Sequence, residues 1–244
     1  MGRPARLKPA VLRAPATARE QLRERLRATT RQSILQGAEA VLLRDGLDAL
    51  TLDAIAAELG LTKQGLYYHY ASKEALLAEL ALQEWTAAAD AVQAATETAA
   101  DAGDALEALV RSYVGRYAGR LPMFRLATQG AQLSPLAARL GREQLEAIRP
   151  LNDRMYGPTE RKLREAQLAG QADPSLDLRR LAFVAHTSAM GLLTMQLMVS
   201  AIDDPLRHAE PALVDELCRA LRAAVGGKGA GRAARPRSPV RSNT

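Results

Sequence analysis

The chain has little of the chemistry on which disulfide-bonded proteins and metalloproteins depend. Its 244 residues include a single cysteine, Cys218, so no disulfide can form within the chain, and a reducing compartment such as the cytoplasm fits. The three histidines, His69, His186 and His208, have no metal-ligand spacing, so we expect neither a metal nor a cofactor. The sequence also lacks a nucleophile elbow, a phosphate-binding glycine loop and a convincing carboxylate pair, which argues against an enzyme.

Aromatic side chains make up only 4% of the sequence, and stretches that favour strands are scarce. Alanine, leucine, arginine and glutamate predominate, which predicts an all-α protein. Residues 181–202 contain no acidic or basic side chain, and this length could cross a bilayer. Because the stretch also carries His186, Ser188 and Gln196, we favour a helix buried in a bundle or a dimer seam over a membrane span.

Positive charge is concentrated at the two ends of the chain. Residues 1–31 contain nine Lys or Arg against two acidic residues, and residues 226–244 contain five Lys or Arg and no acid. Because the whole chain carries +6, the segment between them is acidic. Basic ends of this kind attract a polyanion such as DNA. We expect residues 1–27 to form a largely disordered arm and residues 226–244 a disordered tail. Within the arm, Gly2-Arg3-Pro4 fits either a minor-groove contact or a solvated tail. Residues 18–28 fit a frayed helical lead-in to a first helix that runs from Thr29 or Thr30 to Arg44.

The most informative stretch is residues 51–77, TLDAIAAELGLTKQGLYYHYASKEALL, which predicts two short helices, a tight turn and the start of a long helix. Thr51 is a suitable amino-terminal cap for the first helix, and Gly60 suits the left-handed residue that ends it. Thr62 caps the second helix, and Ser72 with Glu74 begins the long one. This spacing is typical of a DNA-reading helix-turn-helix.

That stretch resembles the DNA-binding segment of TetR-family transcriptional regulators, and RQSILQGAEAVLLRDG (residues 31–46) is similar to the first helix of that family. The resemblance covers residues 28–80, about a fifth of the chain. Gln64-Gly65 and Tyr70 depart from the usual family pattern. The resemblance implies a three-helix DNA-binding domain at 28–75, joined by a long helix to a helical effector-binding and dimerisation domain at 76–225.

The short second helix carries the side chains expected to read bases. A helix placed end-on in the major groove presents its first residues, where Lys63 suits guanine and Gln64 suits adenine. Gly65 lets the backbone approach closely, and the Thr62 hydroxyl with the free amides suits a phosphate. The resemblance implies a set of DNA-facing positions: Thr51, Thr62, Lys63, Gln64, Tyr67, Tyr68, His69 and Lys73. Capping alone would also explain the two threonines, and His69 also fits a purely structural role.

Of the two adjacent tyrosines, we expect Tyr67 to be partly buried and Tyr68 to bind phosphate. Residues 32–80 have a net charge of −4, so this module needs help in approaching DNA. The basic leader can supply it through its arginines nearest the motif, Arg23, Arg25, Arg27 and Arg31.

Downstream the pattern predicts helices without a second motif, including one from residue 104 to 120 and one that begins at Pro122. We expect Pro150 to kink or break a helix and Gly157-Pro158 to interrupt the chain again. The last two helices fit a four-helix dimer interface, with purely intramolecular packing as the alternative. The expected interface residues are Leu181, Val184, Ser188, Leu192, Met195, Val199, Leu213, Leu217 and Leu221.

The middle helices are expected to enclose a pocket for a small, largely apolar effector, although the same side chains also fit a plain core. The expected lining is Trp85, Tyr113, Tyr117, Met123, Phe124, Tyr156, Phe183, His186 and Met190. The leading hypothesis is a cytoplasmic, nucleoid-associated homodimer that represses transcription from a palindromic operator and is released by its effector. The alternatives are a ligand-independent activator or DNA organiser of the same fold, and an enzyme.

Overall fold

The structure of the chain is a computed structural model that describes residues 17–133, 142–199 and 208–226. These residues form helices and no strand, which confirms the all-α prediction. The helices are α1 (Ala18–Asp45), α2 (Leu52–Leu59), α3 (Lys63–His69), α4 (Lys73–Glu97), α5 (Ala102–Tyr117), α6 (Leu121–Leu133), α7 (Arg142–Leu168), α8 (Leu178–Val199) and α9 (Glu210–Gly226).

The ends of α2, α3 and α4 follow the capping pattern predicted from the sequence. The side chains of Thr51, Thr62 and Ser72 each accept a hydrogen bond from the backbone amide three residues later, at 3.1 to 3.2 Å. Gly60 ends α2 at φ 63° and ψ 24°, the left-handed region that glycine enters without strain. Gly60 and Thr62 therefore set the direction of the turn between α2 and α3.

The first helix is longer than predicted. We expected it to begin at Thr29 or Thr30 with residues 18–28 as a frayed lead-in, but α1 is one continuous helix from Ala18. Thr17 and Glu20 form a capping box, in which the Glu20 carboxylate accepts from the Thr17 amide at 2.7 Å. Residues 1–16, including Gly2-Arg3-Pro4, and the predicted tail beyond Gly226 lie outside the described residues.

Helices α1, α2 and α3 pack around the buried side chains of Ile34, Ile55 and Leu66. At Gly37 a Cβ atom would lie only 2.8 Å from the Leu59 side chain, so a glycine is needed where α2 crosses α1. Leu76 and Leu80 of α4 join the same buried cluster. The small amino-terminal unit and the long helix α4 thus share one continuous core.

The larger part of the molecule is a bundle around α5. Helix α5 packs against α4, α7, α8 and α9, while α6 lies across α4 and touches α1. Leu106, Leu109 and Val110 of α5 are fully buried in this core. Consequently α4 belongs both to the amino-terminal unit and to the bundle.

A break at Pro150 and the expected interruption at Gly157-Pro158 are wrong, because both prolines lie inside the continuous helix α7. The alternative, a kink at Pro150, stays a prediction. Each proline removes one backbone hydrogen bond, at a typical cost of about 3 kcal/mol. Packing of α7 against α4, α5 and α8 offsets that cost. The predicted cap at Ser134-Pro135 lies outside the described residues.

By length and composition, α8 is the one helix among the described residues that could cross a membrane. A single helix of this kind is weak evidence for a span, because helices in bundle proteins pass the same test. In this fold α8 packs against α5, α7 and α9.

Candidate nucleic-acid interface and internal cavity

The amino-terminal turn of α3 is presented to solvent. Lys63 and Gln64 are both exposed, and Gly65, behind them, is half-buried because its amide is held by the Thr62 hydroxyl. Leu66 is fully buried and anchors the opposite face of the helix against the core. The helix therefore offers its leading end, with free backbone amides, to an external ligand.

Lys63 forms an ion pair with Asp53 of α2, with Nζ and Oδ2 2.9 Å apart. The hydrogen bond to Asp53 holds the pKa of Lys63 above its ordinary value, so the side chain is fully charged. Both partners are exposed, and exposed ion pairs contribute little to stability. Lys63 can therefore exchange this carboxylate for a phosphate or a guanine edge at little cost.

The far end of α3 carries a row of rings. Tyr68 is 68% exposed and Tyr67 is 46% exposed, so Tyr67 is exposed and not partly buried as we expected. The His69 ring lies edge-on to Tyr68 at a centroid distance of 5.2 Å. Burial and the nearby Arg27 and Arg31 lower the pKa of His69, so its ring is neutral at pH 7 and suits a neutral hydrogen bond rather than a charge contact.

Arg31 has a structural role that the sequence did not reveal. Its guanidinium donates to the His69 backbone carbonyl at 2.7 Å, pairs with the Glu79 carboxylate of α4, and lies 4.3 Å from the centre of the Tyr70 ring. The bond to Glu79 raises the pKa of Arg31. Arg31 thus connects the carboxyl end of α3 to α1 and α4. Its positive charge is largely balanced by Glu79 within the protein.

The extension of α1 lies beside the exposed end of α3. The Arg27 guanidinium is 5.2 Å from the centre of the Tyr68 ring, a cation–π contact. Between the two helices is an open groove of about 630 Å³, and its lining consists of Glu20, Arg23, Glu24, Leu26, Arg27, Thr30, Tyr68 and His69. Arg23 and Arg27 are one helical turn apart and therefore share a face of α1.

Two further predicted contacts flank the recognition helix. Thr51 is exposed at the start of α2, and Lys73 is the first residue of α4, where it is half-buried. All nine residues predicted to face DNA therefore lie in or beside the helix-turn-helix, and their contacts with DNA stay a prediction. Arg27 is the most informative addition, because only the helical course of α1 shows that it reaches Tyr68.

An internal cavity of about 230 Å³ lies between α4, α5, α6, α7 and α8. Six of the nine expected lining residues surround it, and their role in effector binding stays a prediction. The lining consists of Trp85, Ala88, Ala89, Tyr113, Tyr117, Ala127, Leu151, Asn152, Met155, Tyr156, His186 and Met190. The alanines were missed because small side chains carry no distinctive signal in a sequence.

The other three expected lining residues are placed elsewhere. Met123 and Phe124 are buried on α6 but do not line the cavity, and Phe124 instead packs edge-on against Tyr117. Phe183 is 52% exposed and faces away from the cavity, touching only the edge of Tyr156. Residues 181–202 contain no charged side chain to mark a solvent-facing side, so periodicity could not distinguish the inner face of α8 from the outer one.

His186 is the main polar group in the cavity wall. Its Nδ1 lies 2.7 Å from the Tyr156 hydroxyl, and its ring is edge-on to Tyr113 at a centroid distance of 4.5 Å. Burial lowers the pKa of His186 to about 4 and raises that of Tyr156 to about 12, so both are neutral at pH 7. Nε2 of His186 is buried and has no hydrogen-bond partner among the described residues.

A buried ionic cluster connects the amino-terminal unit with the bundle. The Glu84 carboxylate on α4 is 3% exposed and receives two hydrogen bonds from Arg116 of α5, at 2.7 and 2.9 Å. Arg120, just before α6, lies 3.8 Å from Glu84 and 2.5 Å from Glu39 of α1. A shift of α4 relative to α5 or α1 would therefore disturb several charge pairs at once.

The predicted dimer residues are distributed unequally between surface and core. Val184 and Met195 are exposed, and the others are half-buried except for Leu221, which is buried. Leu221 is buried because α9 packs that part of its leucine stripe against its own bundle, and the dimer role of all nine residues stays a prediction. Met198, 64% exposed, was missed on the outward face of α8.

Comparison with known proteins agrees with this geometry. The family model for bacterial regulatory proteins of the tetR family matches residues 34–80. A protein of unknown function from Rhodococcus sp. RHA1 is 25% identical, with 80% of this chain and 95% of that chain covered at a TM-score of 0.63. A regulatory protein in the tetR family from Rhodococcus RHA1 is 21% identical, with coverage of 80% and 96% and a TM-score of 0.58.

The transcriptional regulator FadR from Bacillus subtilis, solved in complex with stearoyl-CoA, has the same fold. It is 16% identical, with 80% of this chain and 98% of that chain covered at a TM-score of 0.61. No curated protein matches the chain.

Proposed function

Since the chain belongs to the TetR family of transcriptional regulators, we propose that it is a homodimeric repressor released from a palindromic operator by a small, largely apolar effector. The observation that carries this proposal is the exposed leading turn of α3, with Lys63 and Gln64 outward and Leu66 buried behind them. This orientation suits insertion end-on into a major groove.

Phosphate contacts on both sides would hold α3 in register. The caps at Thr51 and Thr62 present hydroxyls and free amides on one side, and Tyr68 with Arg23 and Arg27 lies on the other. These groups carry no base information, but they fix the orientation of the helix on the duplex. Lys63 and Gln64 would then distinguish guanine from adenine.

Dimerisation through α8 is supported by its unpaired outward face. The helix is apolar and free of charge after Arg180, yet only 28% of its most apolar 18-residue window is buried in one chain. Phe183, Val184, Met195 and Met198 lie on the exposed side. A second copy covering this face would bury it and would place two recognition helices on one palindrome.

Effector control would act through α4. The cavity touches this helix at Trp85, Ala88 and Ala89, and the helix begins at Lys73, three residues after α3 and its capping Tyr70. A ligand that pushed α4 sideways would change the separation of the recognition helices in the dimer. Such coupling is typically about 1–3 kcal/mol, which corresponds to roughly a 5- to 150-fold change in operator affinity.

The decisive test is selection of bound sequences from random DNA with the full chain, followed by affinity measurements on the selected site. We expect a palindrome, and about a 10- to 100-fold loss of affinity for Lys63→Ala or Gln64→Ala, because a good base contact contributes about 1–3 kcal/mol. Gln171→Ala, at an exposed position on the turn after α7, is the matched control and should bind normally. Recovery of no preferred sequence would refute the proposal.

A second function of the same fold, a ligand-independent activator or DNA organiser, would bind DNA in the same way. Footprinting at one promoter with and without candidate metabolites separates the two. We favour ligand control because the cavity is lined mainly by apolar and aromatic side chains and has an unused hydrogen-bonding nitrogen.

A further inference from the structure

The cavity between α4 and α8 has a chemistry that restricts its ligand. Its volume of about 230 Å³ lies below the roughly 300–1,000 Å³ typical of sites for drug-sized ligands. An apolar cavity of roughly 150 Å³ is large enough to hold benzene. The cavity is therefore of the right size for a compound with one or two rings.

The walls of the cavity contain no charged side chain among the described residues. Tyr113, Tyr117 and Trp85 supply ring faces and edges, and alanines supply flat contact on α4. The only buried carboxylate nearby, Glu84, is already paired with Arg116. A buried anion would therefore find no counter-charge in the wall, and burying an unpaired charge is strongly unfavourable.

Two cavity-lining side chains, Tyr117 and His186, each have a buried polar atom without a hydrogen-bond partner among the described residues, and His186 is the one on α8. The Tyr156 hydroxyl occupies Nδ1 of His186 at 2.7 Å, which leaves Nε2 as the second ring nitrogen. A neutral imidazole has one donor and one acceptor nitrogen, so Nε2 can serve as either, depending on the direction of the Tyr156 bond. A buried polar atom that remains without a partner is costly, so a ligand group that pairs with it gains affinity.

We propose that the cavity binds a small uncharged ring compound with one hydroxyl or carbonyl group, which forms a hydrogen bond with Nε2 of His186. The rings of the compound lie among the aromatic side chains, and its polar group reaches α8. This inference rests on the proposed effector site and specifies its ligand class. It does not require DNA, so its test is independent of the test of DNA binding.

The experiment uses the full chain without DNA and three probes of one shape: 2-naphthol, naphthalene and 2-naphthoate. Calorimetric titration gives each affinity. We expect 2-naphthol to bind roughly threefold to tenfold more tightly than naphthalene, the range expected for one hydrogen bond. We expect 2-naphthoate to bind at least about tenfold more weakly than 2-naphthol, since its carboxylate would be buried without a cation.

His186→Phe keeps a ring at this position but removes both nitrogens, so its preference for 2-naphthol over naphthalene should be smaller than that of the wild type. Thr187→Val changes the exposed neighbour on α8 and should keep the wild-type preference. For the unmodified chain, nitrogen NMR provides a second measurement, in which Nε2 of His186 shifts with 2-naphthol and not with naphthalene. This NMR measurement tests the proposal even if the His186→Phe chain does not fold.

Three results would each overturn the proposal. The first is equal binding of 2-naphthol and naphthalene by the wild-type chain, and the second is an undiminished preference in a folded His186→Phe chain. The third is failure of all three probes to bind, or binding of 2-naphthoate more tightly than 2-naphthol. If the chain nevertheless selects a palindrome from random DNA, the regulator function stands and only the ligand class fails.

Discussion

The helical extension of α1 should contribute to DNA binding through Arg23 and Arg27. Both line the groove beside Tyr68 and His69, and in the described residues neither is paired with a carboxylate. They lie four residues apart, about 6 Å along the helix, which is close to twice the 3.4 Å rise between phosphates of one strand. The perturbation is the double substitution Arg23→Gln and Arg27→Gln in the full chain.

The expected magnitude follows from counterion release. Each lost phosphate contact lowers the slope of log affinity against log salt by about 0.9, so two contacts lower it by about 1.8. Between 50 and 200 mM salt, the affinity of the variant should therefore fall about tenfold less than that of the wild type. The assay is fluorescence anisotropy with the selected operator at four or more salt concentrations.

The matched control removes the same charge far from the interface. Arg180 and Arg219 are both well exposed, and each pairs with an acid three residues earlier on its own helix or just before it. Arg180→Gln with Arg219→Gln should leave the slope within error of the wild type. An unchanged slope in the Arg23/Arg27 variant, or an equal change in both double variants, would refute the reasoning.

Two further predictions concern Arg31 and His186. Arg31→Lys keeps the charge but loses the fixed guanidinium contacts to the His69 carbonyl and Glu79. It should therefore lower the free energy of urea unfolding by about 1 kcal/mol and weaken operator binding as much as Arg31→Ala. Full operator binding by the lysine variant would show that charge alone matters. The pKa of His186 is about 4 in the folded chain and about 6.5 when unfolded, so unfolding takes up a proton and stability falls as the pH drops from 6.5 to 4. The loss is up to about 3 kcal/mol, and His186→Phe should show a correspondingly smaller decrease between pH 7 and pH 4.5.

Local chemistry made the helix-turn-helix predictable. Thr51, Gly60, Thr62 and Ser72 act within three or four residues of themselves, through a capping hydrogen bond or a left-handed backbone. Such interactions can be predicted from neighbouring residues in a sequence. Residue-level roles at the DNA interface stay predictions, but the segment that presents them was identified without coordinates.

What could not be predicted depends on contacts between distant parts of the chain. The sequence counted Arg31 as a free charge, because nothing near it reveals Glu79 or the carbonyl of His69. The sequence favoured a start at Thr29 or Thr30, with only a frayed lead-in before it, because residues 18–29 bury no side chain and so have no apolar stripe to detect. Tertiary packing keeps α7 helical through its two prolines, and local helix propensity cannot predict such packing.

The length of α4 would allow a ligand in the small cavity to act on a distant DNA interface. From Lys73 to Ala88 the helix rises about 22 Å, so a tilt of about 4° at the cavity moves its amino end by roughly 1.5 Å. The Arg31–Glu79 pair ties α3 to that moving end, so the recognition helix would follow rather than slip. In a dimer the two displacements add, whereas operator half-sites are fixed about 34 Å apart. The proposed release mechanism therefore requires a rigid α3–α4 junction, and Arg31 contributes to that rigidity through its contacts with His69 and Glu79.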